Sequence, residues 1–434
     1  MRVIVRSLFA VTLLGGPVAA QNTEVLTLER AVEIAMQQQP SLRQTRAQVE
    51  AARGRVDQTR VALRPTVQLS ATAGLGSTRP GPCATDMTQT CGGFFDAAAS
   101  TGLAAQASWR IFDFGQTRVS IRAAVLNAEA AAATIDTSVL DIRVNVERAY
   151  LEAVARQKLI KVAEATVASE ELHLDQARRF VAAGAKDPIE VAQAQSRAAN
   201  ARSALAQARA SEAIALANLR AAIGWLDATS SPIVDPNWPT PPAGDPPPLP
   251  SLVDSSRQQR PEIVQLDRQI AAAEANVLAA EYGNRPVLAA TAQTQWDPGS
   301  SDWSPEPSWS AGLTLSWQIF DGGRAKADAR VARANVVGAQ AQRDALLVDL
   351  TAQLDSSRSQ IVANRANVVA STEAVSAARA QLKLAEARYT QGLGSQIELA
   401  DAQTAITTAE GNFVQAQFQL ADAWAQLRRA IGER

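Results

Sequence analysis

The chain says nearly the same thing twice. Trp109-x-Ile111-Phe112-Asp113-x-Gly115 returns as Trp317-x-Ile319-Phe320-Asp321-x-Gly323, a displacement of 208 positions. The same displacement pairs Gly184 with Gly392, Ile189-Glu190 with Ile397-Glu398, and Ala222-Ile223-Gly224 with Ala430-Ile431-Gly432. Self-similarity at a fixed offset means one structural unit used twice. Each copy runs opening helix pattern, strand, loop, strand, very long helix pattern, turn, return helix pattern. The expected fold is therefore mostly α with a small β part, built from two repeats.

The long segments read as coiled coil rather than globular core. After Gly115, apolar positions fall at Ala128, Ala132, Ile135, Val139, Ile142, Val146, Ala149 and Ala153, alternating steps of four and three. No Pro or Gly interrupts Gln116 to Val181, so at 1.5 Å per residue this helix reaches roughly 100 Å. The return helix, from Pro188 to about Ala222, and the opening helix, from about Leu28 to Leu63, have half that length. Two half-length helices stacked end to end match one long one, which describes a shaft.

Between opening and long helices lie period-two segments, expected as strands over about 66–76, 101–112, 287–296 and 309–320. Val67, Leu69, Ala71, Ala73 and Leu75 alternate with polar residues, as do Leu103, Ala105, Ala107, Trp109 and Ile111. In the second repeat Leu288, Ala290, Ala292 and Trp296 line one face, and Trp309, Ala311, Leu313, Leu315, Trp317 and Ile319 another. Strands of about ten residues, apolar on one side and Trp-tipped, suit a lipid-facing barrel, with Trp109, Trp296, Trp309 and Trp317 as its aromatic girdle. The rival assignment is a half-buried sheet in a soluble sandwich. The smallest membrane barrels need about eight strands. Four per chain close a barrel only if several chains contribute.

The first twenty residues read as a signal peptide: Arg2 and Arg6, an apolar run from Leu8 to Leu14, and Val18-Ala19-Ala20 before Gln21. The expected organisation is 1–20 signal peptide, 21–225 first repeat, 226–250 connector and 251–434 second repeat. The connector is rich in proline, including Pro246-Pro247-Pro248, and so extended. Removing Arg2 and Arg6 leaves 40 basic against 43 acidic groups, which gives no basic face for nucleic acid. Cys83 and Cys91 are the only cysteines; two nearby cysteines in an exported chain are expected to form a disulfide, here a loop staple. His173, flanked by Glu170, Glu171 and Asp175, reads as a plain surface residue. No metal site, cofactor or catalytic constellation is discernible.

At this point the chain resembles the TolC-like outer-membrane efflux family, over nearly all of its length and in both repeats. The resemblance rests on Arg64-Pro65 and Arg285-Pro286 before strands, and on the two Trp-x-Ile-Phe-Asp-x-Gly junctions. It rests also on Tyr389-Thr390-Gln391-Gly392 followed by Ile397-Glu398-Leu399-Ala400-Asp401-Ala402-Gln403. The resemblance implies a homotrimer, with four strands per chain in a twelve-stranded outer-membrane barrel and an α-helical tunnel across the periplasm. It implies no enzyme activity. The protein would be the exit duct of a tripartite efflux pump or type I secretion system. Its implied partners are outer-membrane lipid, a periplasmic adaptor and an inner-membrane ABC or RND-type transporter.

The resemblance also places the constriction of the tube at the helical tips around Gly184 and Gly392. Glu398 and Asp401 match its acidic lining; their i, i+3 spacing puts both carboxylates on one helix face, though solvated surface charge is the alternative. Tyr389 and Glu190 match the network that holds the mouth shut. The basic residue expected shortly after the tyrosine is Gly394 here, so fewer ion pairs and easier opening are expected, unless Arg178, Arg179 or Lys186 substitutes. The alternatives are a periplasmic coiled-coil adaptor, which would need a β-rich lipoyl-like segment and a single hairpin, and a scaffold protein without a pore.

Overall fold

The computed structural model describes residues 25–77, 81–83, 86–91, 97–225, 234–235, 237–238, 244–296 and 308–433, with side chains undescribed at 76–77, 81–83, 86–91 and 97–100. The signal segment lies outside these residues, as do the side chains of Cys83 and Cys91 and hence the expected disulfide. The first repeat contains α1 (Leu28–Gln38), α2 (Pro40–Val61), β1 (Thr66–Ser77), β2 (Gly81–Cys83), β3 (Asp86–Cys91), β4 (Ala97–Phe112), α3 (Gln116–Ala182) and α4 (Ile189–Ile223). The second contains α5 (Leu249–Gln259), α6 (Pro261–Glu281), β5 (Val287–Trp296), β6 (Ser308–Ser316), α7 (Arg324–Thr390) and α8 (Gln396–Ile431). Helices α3 and α7 are each 67 residues long.

The opening helix expected to run unbroken from Leu28 is two helices. Gln39 is extended (φ −61, ψ 120) before Pro40, because a residue preceding proline is pushed out of the helical region. Arg260, before Pro261, breaks the second repeat in the same way (φ −73, ψ 118). Each break receives the end of a return helix. Gln39 Nε2 donates to Ala222 O at 2.8 Å, and Arg260 Nε donates to Ala430 O at 3.0 Å, so carbonyls at the ends of α4 and α8 gain partners. Helix α2 thus continues the line of α4, and α6 that of α8. The fit is close: a Cβ on Gly224 would lie 3.0 Å from Gln39 Cα, and one on Gly432 3.1 Å from Gln259 C.

The long strands form one antiparallel sheet in the order β1-β4-β5-β6. Its register settles which faces coincide. Val67 pairs with Ala107, and Leu69 with Ala105; Trp109 pairs with Ala290, and Leu103 with Trp296; Ala290 pairs with Leu313, and Thr294 with Trp309. Directly paired residues share a face, so the apolar sets of all four strands lie together. Thr66, Gln68, Ser108, Gln106, Gln293 and Ser310 share the other face. The apolar face is exposed, with Leu69 and Leu313 each 69% accessible. Trp296 and Trp309 stand at the loop end, and Trp109 and Trp317 at the helix end.

Strand β6 stops at Ser316, short of the expected 320. Val287, its partner residue, follows Pro286, and proline has no N–H to extend the ladder. The small β2–β3 hairpin between β1 and β4 carries no periodic signal and was not expected.

The strand-to-helix junctions explain the repeated Asp-x-Gly. Gly115 and Gly323 take left-handed conformations (φ 96 and 89), which glycine adopts without a Cβ penalty. Asp113 accepts from Gly115 N and Thr117 N at 3.2 and 2.8 Å. Asp321 does the same for Gly323 N and Ala325 N at 2.8 and 2.7 Å. Each aspartate caps the first turn of a long helix.

Helix α3 is gripped from more than one side. Ile142, Val146 and Ala153 from the expected seam are buried, and so are Leu140, Tyr150, Leu151 and Val154. The reason is that α1, α2 and α4 pack on it from its own repeat, and α6 and α8 from the other. Helix α7 shows the plain seam instead, with Leu350, Leu354, Ser357 and Ile361 buried. Val348, Val362 and Val369, each at least 47% exposed, have no full cover among the described residues. The repeats are riveted where α8 ends: Arg428 pairs with Glu147 and Arg429 with Asp141 at 2.6 Å, while Arg429 also holds Glu262 of its own repeat at 3.3 Å. No described helix is long and apolar enough to cross a membrane.

Candidate functional site

The two helical tips lie furthest along the chain from the strands, and both end in the same turn. Ala185 N donates to Phe180 O at 2.9 Å and Gly184 N to Val181 O at 3.0 Å; Leu393 N donates to Arg388 O at 2.9 Å and Gly392 N to Tyr389 O at 3.0 Å. These are the paired bonds of a Schellman motif. They require the left-handed backbone found at Gly184 (φ 70) and Gly392 (φ 72). The return helices start differently. Asp187 Oδ1 accepts from Ile189 N at 3.0 Å, whereas Ser395 Oγ caps Glu398 N at 3.1 Å.

The tips are joined to each other through Tyr389. It is 1% exposed, packed edge-on against Phe180 of the first repeat with ring centroids 5.7 Å apart. Its hydroxyl donates to Glu190 Oε2 at 3.1 Å. Burial, then the Glu190 charge and this bond, push the phenol up to about 12, so it stays a donor throughout the physiological range. Lys186 reaches the other oxygen, Glu190 Oε1, at 3.4 Å and lies 5.4 Å from the Tyr389 ring centre. Gln396 Nε2 donates to the Glu190 carbonyl at 2.9 Å. One acidic residue of the first repeat therefore gathers three side chains, two of them from the second.

No basic side chain stands at 394, and of the three candidate substitutes Lys186 is the one that pairs with Glu190. The 208-residue displacement maps Gly394 onto Lys186; the cation absent from one tip is present on the other. Arg179 is occupied by Asp175 at 2.5 Å. Arg178 is exposed and carries no ion pair among the described residues. Gly394 itself has no room for a side chain. It is buried, and a Cβ there would lie 3.0 Å from Tyr389 N and 3.1 Å from Arg388 Cβ.

Glu398 and Asp401 are both exposed, while Leu399 and Ala402 turn inward. Glu398 pairs with Arg388 at 3.0 Å across its own hairpin. Asp401, one turn on, has no ion partner among the described residues. The Arg388 pairing, the Phe180 contact and the Gln396 bond were not anticipated. Position 180 corresponds to 388 in the other repeat, so Phe180 and Arg388 differ in kind and repeat matching passes over both.

Above the tip, the seam between repeats is polar. Ser169 Oγ donates to Gln403 Oε1 at 2.7 Å, and Thr166 and Thr407 share a bond of 3.0 Å. His173 belongs here, which corrects its reading as a surface residue: it is 4% exposed and bonded to Ser169 Oγ at 3.1 Å. Its acidic sequence neighbours suggested solvent, but the helix face it occupies is the one α8 covers. The described residues hold no cluster of potential metal ligands.

A four-stranded sheet with one exposed apolar face, carried on two hairpins whose longer helices are each 67 residues and closed by a bonded tip, is the architecture of a channel-tunnel protomer. The chain belongs to the outer membrane efflux protein family, whose profile matches residues 31–225 and again 252–433. It is 29% identical to Protein CyaE of Bordetella pertussis over 421 residues, covering 96% of this chain and 86% of that one. It is 26% identical to the pyoverdine export outer membrane protein OpmQ of Pseudomonas aeruginosa over 346 residues, covering 78% and 71%. The crystal structure of a membrane protein from Pseudomonas aeruginosa has the same fold, with a TM-score of 0.75 over 93% of this chain and 92% of that one at 22% identity. The protein is an efflux channel of the TolC-like class, located in the outer membrane and extending into the periplasm.

Proposed function

We propose that three copies of this chain assemble into a twelve-stranded barrel continued by a helical tube, and that the tube is the passive exit duct of a tripartite efflux or type I secretion system. The observation that carries this reading is the sheet. Its apolar face is solvent-exposed and its outer strands, β1 and β6, have free edges. A free edge seeks another strand, and an apolar face of this extent seeks lipid. Joining β6 of one copy to β1 of the next satisfies both, and the exposed valines of α7 lie ready to pack on a neighbour. The four tryptophans then form two interfacial girdles, Trp296 and Trp309 at one level and Trp109 and Trp317 at the other.

The duct does no chemistry of its own. Its working parts are the tips, where Tyr389, Glu190 and Lys186 hold the second hairpin against the first. Glu398 and Asp401 become two stacked acidic rings at the mouth, a cation-selective constriction. A periplasmic adaptor and an inner-membrane ABC or RND-type transporter are the partners whose contact would break the Tyr389 link and swing the second hairpin outward.

Planar-bilayer recording of the purified protein, with and without Glu398→Ala/Asp401→Ala, tests the reading. Cation-selective pores that lose selectivity and divalent block in the double variant support duct and mouth together. Pores of unchanged selectivity refute the acidic constriction, and the absence of pores refutes the duct.

A further inference from the structure

The first two turns of α3 and α7 carry cations, where α1, α4, α6 and α8 carry a glutamate in the first turn and α2 and α5 carry no acidic residue there. Helices α1, α4, α6 and α8 begin with Glu29, Glu190, Glu262 and Glu398 in the first turn, as the positive end of the helix dipole favours. Helices α3 and α7 have no acidic residue there. They carry Arg118 and Arg122, and Lys326 and Arg330, in the first two turns. The pattern is repeated at the same displacement of 208: Arg118 maps onto Lys326 and Arg122 onto Arg330. Asp113 and Asp321 already answer the dipoles of these helices, so exposed cations repeated at the same places in both copies ask for a partner of their own.

The described residues do not supply that partner. All four side chains, and Arg64 at the foot of β1, are exposed and carry no ion pair among the described residues. Five acidic groups near the junctions are already engaged. Asp113 and Asp321 cap the helix starts. Asp57, Asp328 and Glu281 pair with Arg60, Arg324 and Arg333 at 3.1, 3.7 and 2.6 Å.

The height of these cations names the partner. The apolar sheet face ends at the strand-to-helix junctions, where Trp109 donates to Leu63 O at 3.0 Å, beside Arg64. Arg118 and Lys326 lie one turn beyond, and Arg122 and Arg330 one turn further. Helical side chains lean toward the N-terminus, here back toward the sheet. Long basic side chains reach several ångströms along that direction. A band of unpaired cations just past the rim of a lipid-facing surface is complementary to lipid phosphate.

We propose that Arg64, Arg118, Arg122, Lys326 and Arg330 form a basic collar that binds anionic phospholipid headgroups of the periplasmic leaflet. The proposal rests on the membrane reading of the sheet and adds to it a preference for lipid charge.

Delipidated protein titrated with phosphatidylglycerol or phosphatidylethanolamine, with bound lipids counted by native mass spectrometry, tests it. Wild type is expected to prefer phosphatidylglycerol at least about a hundredfold, less at high salt. Each basic side chain removed lowers the preference about fivefold. Arg118→Gln/Arg122→Gln and Lys326→Gln/Arg330→Gln, one pair per repeat, should each lose part of it, and the Arg122→Lys/Arg330→Lys variant should keep it. Equal binding of the two lipids by wild type overturns the collar. So does an unchanged preference in the Gln variants accompanied by altered ion selectivity, which would turn these side chains toward the duct. Insertion into purely zwitterionic bilayers separates the two ideas: protein that inserts without charge preference refutes the collar alone, and protein that does not insert refutes the lipid-facing sheet beneath it.

Discussion

Replacing Arg428 with methionine should destabilise this protein far more than neutralising its partner. Glu147 is 6% exposed, and Arg428 is the side chain that reaches its carboxylate from α8. Burial pushes the Glu147 carboxyl above its ordinary value of 4.5, and the Arg428 and Arg143 charges only partly offset that. Arg428→Met leaves a buried carboxylate without its bonded cation, a change that costs about 3 kcal/mol or more. Glu147→Gln removes the charge that burial penalises and leaves Arg428, whose side chain is 28% exposed and can hydrate, so it should cost clearly less than Arg428→Met. The pH dependence follows from the direction of the shift. A carboxyl raised in the folded state favours folding most when protonated, and that contribution is lost as pH rises through the folded value. Without Arg428 the shift grows, so the Arg428→Met deficit should be largest at pH 8 and shrink toward pH 5. Thermal unfolding in detergent followed by circular dichroism reads this out; about 3 kcal/mol corresponds to roughly 3–4 °C for a chain of this length. A deficit that is equal at both pH values, or a Glu147→Gln variant as unstable as Arg428→Met, would refute the reasoning.

The tips and helix junctions give further expectations. Lys186→Gln should raise the open probability of single channels several-fold, since it removes the cation on Glu190; unchanged gating would show the pair to be idle. Gly394→Arg, which on sequence grounds would restore an ion pair and tighten the mouth, should instead raise conductance, because its Cβ collides with the end of α7. Lower conductance in that variant would refute the packing described here. Gly224→Val meets both a left-handed backbone (φ 86) and Gln39 Cα at 3.0 Å and should cost about 2 kcal/mol or more. Yield and melting temperature of the purified protein would check it, and a variant as stable as wild type would show that α2 and α4 are not stacked this tightly.

Much of this architecture can be read from the sequence because its signals are local or exactly repeated. The Asp-x-Gly junctions, tip glycines and unbroken 67-residue helices each follow from short-range backbone chemistry. The offset of 208 doubles every observation. What escaped depends on long-range contacts. The polar seam that buries His173 is a meeting of α3 with α8, more than two hundred residues apart, and nothing near His173 announces it. The α1–α2 break is written in Gln39-Pro40, since a residue before proline is pushed out of the helical region. At the candidate site, Tyr389 and Glu190 were legible through resemblance. Lys186 was among the three candidate cations in sequence, and only its contact with Glu190 singles it out. Which side of the sheet each strand offers was a matter of pattern, whereas the agreement of all four faces is a matter of register and needed the structure.

The central claim is that this chain forms a duct held shut where its second hairpin is tied to its first. Single-channel recording of wild type against Tyr389→Phe/Glu190→Gln measures that most directly. The bond removed joins a buried phenol to a carboxylate and is worth about 1.5–3 kcal/mol, or roughly ten- to a hundredfold in the ratio of closed to open states. The account predicts small, mostly closed wild-type channels and a variant that dwells in a larger-conductance state. Variant channels indistinguishable from wild type in conductance and dwell time would contradict it.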